Sequence, residues 1–221
     1  MKIATITALL VSGVLSLPLA AQDVSEAPLT HEERQSLDAA FLRKLPSDQL
    51  NFLFTKLSSG PLPSGFYKGG IVLDPEAQER LNEDLTKLIK DEKLRTWVRN
   101  AVPWLWQGQE FDAKAMLIAN RIGPIKRFPG QMYCGASTAD VGGASIIVDY
   151  ANSDTLPGYN RIFDWPMTKL GLGLKDEIRM VRPGLYLGRA YVRGKFLLNF
   201  LLEQEPLTGL TDWNDACRSA Q

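Results

Sequence analysis

Few side chains in this chain are placed to do chemistry, and most belong to two apolar, strand-forming runs, Ile146 to Tyr150 and Asp176 to Val192. Asp149, Asp176 and Glu177 are carboxylates among apolar neighbours, a setting suited to general acid/base work, and Tyr150 or Tyr186 could donate a proton or stabilise an oxyanion. If the protein is an enzyme, Asp149, Asp176, Glu177 and Tyr186 are the candidate catalytic set. The reaction would be a histidine-independent hydrolysis or isomerisation of an apolar substrate. The spacing singles out no pair. The lone histidine, His31, follows Thr30, which reads as a helix N-cap with Glu33 completing a capping box, so an exposed first-turn position is expected. Without a second histidine, Ser-His-Asp and Cys-His triads and multi-imidazole zinc sites lack their parts. Ser137 and Ser145 lie near glycines but neither completes Gly-x-Ser-x-Gly. Asn152 to Asp154 is too sparse for an EF-hand-type calcium loop. No metal and no cofactor is expected.

Arg179 is the polar residue that most demands an explanation. Pro183 and Gly184 supply a type II turn between strands Lys175–Arg182 and Leu185–Val192. With a two-residue register, Ile178, Met180, Leu185 and Leu187 share one face. Val181, Tyr186, Ala190 and Val192 share the other with Glu177 and Arg179, and Arg179 faces Gly188. Both faces are then largely apolar, so the sheet must be covered outside or must curl around an enclosed space. An enclosed guanidinium has to be paired, because it cannot shed its charge. Glu177 or Asp149 could make a structural salt bridge with it. Alternatively its fork could take the carboxylate or phosphate of a lipid-like ligand, with Tyr159 and Arg161 as neighbours. Tyr67, flanked by Gly65 and Gly69, and Trp106, beside Gly108, either pack beneath tight turns or line an apolar pocket. The ligand-binding candidates are therefore Arg179, Tyr67, Trp106, Tyr150 and Tyr186, and the partner they imply is a small hydrophobic or amphiphilic molecule.

The elements that would position these residues change character along the chain. Leu37, Phe41, Leu42 and Leu45 give a helix over Glu32 to Lys44, and a second runs from about Asp48 to Leu57. Residues 58–70 read as a Gly/Pro loop. Asp74 and Pro75 open another helix, with Leu81, Leu85, Leu88 and Ile89 as its buried stripe, and an amphipathic segment follows from Glu92 to about Val102. Beyond Pro103, strands are expected at Gln109–Phe111, Ala115–Arg121, Gln131–Cys134, Ala144–Tyr150, Lys175–Arg182, Leu185–Arg193 and Lys195–Leu202. The fold class is α+β, with N-terminal helices followed by a curled antiparallel β-sheet or small barrel. Its divisions are a helical region over 22–103, a β region over 104–205 and a tail over 206–221. The helical region could also dock a protein partner through Phe41, Phe52 and Phe54, although phenylalanines so spaced usually serve their own core.

Residues 1–21 carry Lys2, an apolar run from Ile3 to Leu19 broken by Gly13 and Pro18, and small residues at Ala20 and Ala21. This is the pattern of a signal peptide cut after Ala21, too short and interrupted for a membrane span. It implies export, most simply to a periplasm, with no integral membrane segment after cleavage. The full chain balances 25 basic against 25 acidic side chains. That balance argues against nucleic acid and against a polybasic membrane surface as partners. Cys134 and Cys217 are the two cysteines, and an oxidising compartment favours a disulfide between them.

Gly65 to Gly69, Trp106 to Phe111, Asp149 and Tyr150, Asp176 to Val181 and then Gly188 occur in the order of GXWXG/DUF4334-type bacterial proteins, which the chain resembles over roughly residues 65–191. Tyr67 stands where the family name leads one to expect tryptophan, and a helical insertion interrupts the match. The resemblance implies a small lipocalin-like barrel around a ligand and supplies no catalytic residues.

Overall fold

The computed structural model describes residues 28–88, 90, 92–162, 164, 173–204 and 211–218. The expected signal peptide, and residues 206–210 and 219–221 of the expected tail, lie outside them. The chain opens with helices α1 (His31–Ser36), α2 (Ala39–Leu42) and α3 (Ser47–Thr55). Thr30 caps α1 in the expected capping box, accepting from the Glu33 amide while the Glu33 carboxylate accepts from the Thr30 amide at 2.7 Å. The single helix expected over Glu32 to Lys44 is instead two. Leu37 is extended, and the Asp38 carboxylate accepts from the Phe41 amide at 2.7 Å, so Asp38 starts a new helix rather than continuing the old one.

A strand, β1 (Gly65–Val72), comes next, then α4 (Pro75–Leu88) and α5 (Glu92–Leu105). Seven further strands follow: β2 (Trp106–Asp112), β3 (Leu117–Ile122), β4 (Ile125–Ala136), β5 (Ala144–Asp149), β6 (Leu174–Arg182), β7 (Leu185–Val192) and β8 (Lys195–Glu203). Each pairs antiparallel with the next, and β8 pairs with β1, closing an eight-stranded up-and-down barrel. Those seven strands lie where the sequence puts them. β1 is the correction: residues 65–70, read as loop, are its first part. Its glycines are demanded by neighbours, not by a turn. A Cβ on Gly69 would lie 2.5 Å from the Trp106 ring, and one on Gly108 would collide with the Tyr67 carbonyl. The aromatic ring that the glycine admits is thus Trp106, from the adjacent strand, and not Tyr67.

The hairpin of β6 and β7 corrects a second expectation. A bulge between Met180 and Arg182 shifts the register by one, so Arg179 pairs with Leu187 and Ile178 with Gly188. The bulged backbone is held from outside the ladder: the Met180 amide donates to Ser58 and Ser59 carbonyls, and Arg34 donates to the Val181 carbonyl at 2.9 Å and to that of Met180. Ile178 and Met180 consequently share the barrel interior with Tyr186 and Ala190, alongside Tyr67, Phe111, Ile118, Met132, Ile146, Val148, Phe200 and Leu202. Val181, Leu185, Leu187 and Leu201 face outward and are covered by Leu42, Leu50 and Phe54 of α2 and α3. Two apolar faces are explained: one is the barrel core, the other the seat of the N-terminal helices.

The barrel ends differ. At one, Gly60 to Leu62 and the C-terminal segment form a plug, tied by the Ala216 amide on the Gly60 carbonyl (3.0 Å) and by the Cys134–Cys217 disulfide across 83 residues. At the other end β1 leads into α4, α5 leads into β2, and residues 150–162 follow β5. There Leu81 and Leu85 of α4 pack on Leu73, Leu197 and Leu198. No helix among the described residues is long and apolar enough to cross a membrane.

Candidate functional site

Inward rows of three strands end in polar residues at the α4–α5 end. β2 runs Phe111 then Gln109, β3 runs Ile118 then Asn120, and β6 runs Met180, Ile178 then Asp176, so the two-residue period of closed strands gathers these side chains beside Tyr150 at the end of β5. Trp106 Nε1 donates to Asn120 Oδ1 at 2.8 Å. Asn120 Nδ2 donates to the Phe128 carbonyl (3.2 Å) and to Tyr150 Oη (3.1 Å). Gln109 Nε2 donates to Tyr150 Oη (3.0 Å) and to Asp176 Oδ2 (3.1 Å), and Tyr150 Oη donates to Asp176 Oδ2 (3.0 Å). Gln109 Oε1 is buried and has no partner among the described residues.

Electrostatics fixes who holds the protons. Burial raises Asp176 to about 7 against the opposing pull of the Tyr150 and Gln109 hydrogen bonds. Burial and the neighbouring Asp176 carboxylate push Tyr150 well above the ordinary phenol value. At neutral pH Tyr150 is therefore the donor and Asp176 the group that can take or release a proton. Around them the walls are apolar: Trp106 meets Phe200 edge-on at 5.6 Å, and the Phe200 ring fills the space a side chain at Gly188 would need.

Of the residues singled out from sequence, Asp176, Tyr150 and Trp106 meet in this cluster. Tyr67 and Tyr186 are also inside, edge to face at 5.6 Å, but towards the plug, where Tyr186 Oη donates to the Pro61 carbonyl at 2.6 Å. Burial raises Tyr67 to about 12. Asp149 and Glu177 belong to the outer wall and so do not converge with Asp176. Asp149 pairs with Lys175 at 2.9 Å. Glu177 accepts from Ser137 Oγ and the Thr138 amide, each at 2.8 Å.

Arg179 is 1% exposed and also outside the barrel, beneath α3. It forms a salt bridge, but with neither expected partner: Nη2 donates to Asp140 Oδ1 at 2.7 Å, Nη1 to Asp140 Oδ2 and the Phe54 carbonyl, and Nε to Ser145 Oγ, with the Phe54 ring stacked against it. Tyr159 and Arg161 belong to the connection at the barrel's other end. Gln109 and Asn120 were missed because isolated amides in short strands carry no signal until strand pairing shows which face they share.

Concave regions among the described residues include one of about 570 Å³ beside His31, Arg34, Trp213 and Asp215 and another of about 240 Å³ beside Tyr133, Lys175, Glu177 and Tyr191. His31 is exposed, as expected, and stacks on Trp213 at 4.2 Å.

No family model and no curated protein matches the chain. Among solved structures, a crystal structure of a protein from Thermomonospora curvata is similar at a TM-score of 0.44 and 16% identity, covering 73% of this chain and 88% of that one. A likeness at that level carries no inference about function.

Proposed function

We propose that this chain is an exported, lipocalin-like protein that binds a small apolar or amphiphilic ligand through the α4–α5 end of its barrel. One observation carries the reading: in an otherwise apolar interior with one plugged end, the polar side chains Gln109, Asn120, Tyr150 and Asp176 gather at the opposite end. Binding sites are commonly apolar enclosures with a few convergent polar groups, and an eight-stranded barrel is wide enough to hold one small ligand. The Cys134–Cys217 disulfide supports an oxidising destination. Native mass spectrometry of protein purified from its host is expected to show a co-purified amphiphile. Finding none, with no member of a panel of alkyl ligands raising Tm, would sink the reading.

A second reading, acid/base catalysis on an apolar substrate, is favoured by the Asp176 carboxyl, which titrates near neutrality beside the Tyr150 proton donor. It requires turnover of a compound from an ester, epoxide or enone panel, abolished in Asp176→Asn while that variant keeps its fold.

A further inference from the structure

The hydrogen-bond ledger of the interior cluster is lopsided. Trp106, Asn120, Gln109 and Tyr150 bring six N–H and O–H donors, and all six are used, on Asn120, Phe128, Tyr150 and Asp176. Acceptors remain. Gln109 Oε1, on a side chain 1% exposed, has no partner among the described residues, and none of the six donors reaches Asp176 Oδ1. Turning the Gln109 amide over does not balance the account. Its oxygen would then lie against the Asp176 carboxylate, two acceptors in contact, and its NH₂ would become the orphan.

From this residue of acceptors we infer that the ligand's head group is a hydrogen-bond donor, a hydroxyl or an ammonium on an apolar tail, which Gln109 Oε1 and Asp176 Oδ1 receive. Once Asp176 is ionised, a carboxylate or phosphate head group brings acceptors to a site whose donors are all spent, and it sets like charge against that carboxylate. Arg179, the residue that would have welcomed such an anion, lies outside the barrel and is held by Asp140. The inference rests on the proposed ligand-binding reading and narrows it to one class of head group.

Calorimetric titration of the full chain with decanol, decylamine and decanoate about two pH units above the Asp176 midpoint, where its carboxyl is ionised, keeps the tail constant and varies only the head. Decanol, decylamine or both are expected to bind at least about tenfold more tightly than decanoate, the ratio given by one hydrogen bond to a buried carboxylate. Asp176→Asn, which replaces an acceptor with a donor-bearing amide, is expected to erase that preference. Decanoate binding as tightly as the other two overturns the donor inference and leaves ligand binding standing, whereas failure of all three compounds to bind overturns both. An Asp176→Asn protein that folds and keeps the wild-type order of affinities also overturns the inference. Should that variant not fold, the three titrations of the wild-type chain decide the matter.

Discussion

Asp176 and Asp149 sit near one another in the sheet and are driven in opposite directions by their surroundings. For Asp149 burial acts upward, but Lys175 at 2.9 Å, the Ala151 amide and the Tyr133 hydroxyl outweigh it and hold the carboxyl below its usual range. Asp176 has no cation beside it among the described residues, and burial leaves it at about 7. Its folded value is raised above the ordinary carboxylate value near 3.8, so its contribution to stability is fully present below that pH. It is lost as pH rises towards about 7. The slope attributable to one group is at most about 1.4 kcal/mol per pH unit. Denaturant melts of wild type and Asp176→Asn across this range are expected to show wild type losing stability relative to the variant between about pH 4 and 7, with parallel behaviour above. Parallel curves throughout would mean that Asp176 is not buried as described. Tyr150→Phe removes a hydrogen bond that stabilises the charged form. It should therefore raise the Asp176 midpoint seen by carboxyl NMR still further, and cost about 1–3 kcal/mol through the partners left bare on Asn120 and Gln109.

The contacts of α3 with the outer wall of β6 explain both what the sequence revealed and what it hid. Arg179 is enclosed by Phe54 of α3, Ser145 of β5 and Asp140 of the turn between β4 and β5, so one side chain locks three elements together. Removing the anion strands the buried guanidinium, and Asp140→Asn is expected to destabilise by about 3–5 kcal/mol, whereas Arg179→Ala leaves only a partly exposed carboxylate and is expected to cost less. Measured alongside, the affinity of surviving folded protein for alkyl ligands should be unchanged, which separates a structural from a ligand-holding arginine. The sequence made legible the enclosure of Arg179 and its need for an anion, because an apolar strand run and a fixed charge are local facts. Asp140 as the partner was illegible, since it lies in the β4–β5 turn and is brought near only by the pairing of β5 with β6. The same holds for the site. Asp176, Tyr150 and Trp106 stand out by type and neighbours, but Gln109 and Asn120 join them only through pairings across β2 to β6. The bulge at Met180 and Arg182 decided which face Arg179 took, and the groups that hold it, the backbone carbonyls of Ser58 and Ser59 and the guanidinium of Arg34, lie more than a hundred residues away in the chain. β1 was hidden for a related reason: its glycines read as loop until the Trp106 ring from β2 shows what they make room for.

Closure of the barrel leaves two open ends, and the molecule treats them asymmetrically. The plug is assembled from two segments far apart in the chain, residues 58–62 ahead of β1 and residues 213–218 after β8. Ser59 Oγ donates to Asp215, the Cys217 amide donates to Ser59 Oγ at 3.1 Å, and the disulfide fastens Cys217, which is fully buried, to β4. The plug's backbone lies outside the strands and meets the barrel through the Met180 amide on the Ser58 and Ser59 carbonyls and Tyr186 Oη on the Pro61 carbonyl, so residues 213–218 depend on the bonds to Ser59 and Gly60 and on the entropy the crosslink removes from the unfolded chain. For a closed loop of this length that entropy is worth about 4.5 kcal/mol in the chain-entropy account. The double variant Cys134→Ser with Cys217→Ser should lose stability of that order in equilibrium denaturation. Hydrogen exchange should locate the loss: amides of residues 58–62 and 213–218 are expected to lose protection together, while β2, β3 and β5 exchange as before under native conditions. Protection lost evenly around the barrel would instead mean that the plug is part of one cooperative unit with the sheet, and that the end opposite Asp176 is held shut by the strands and not by the crosslinked tail.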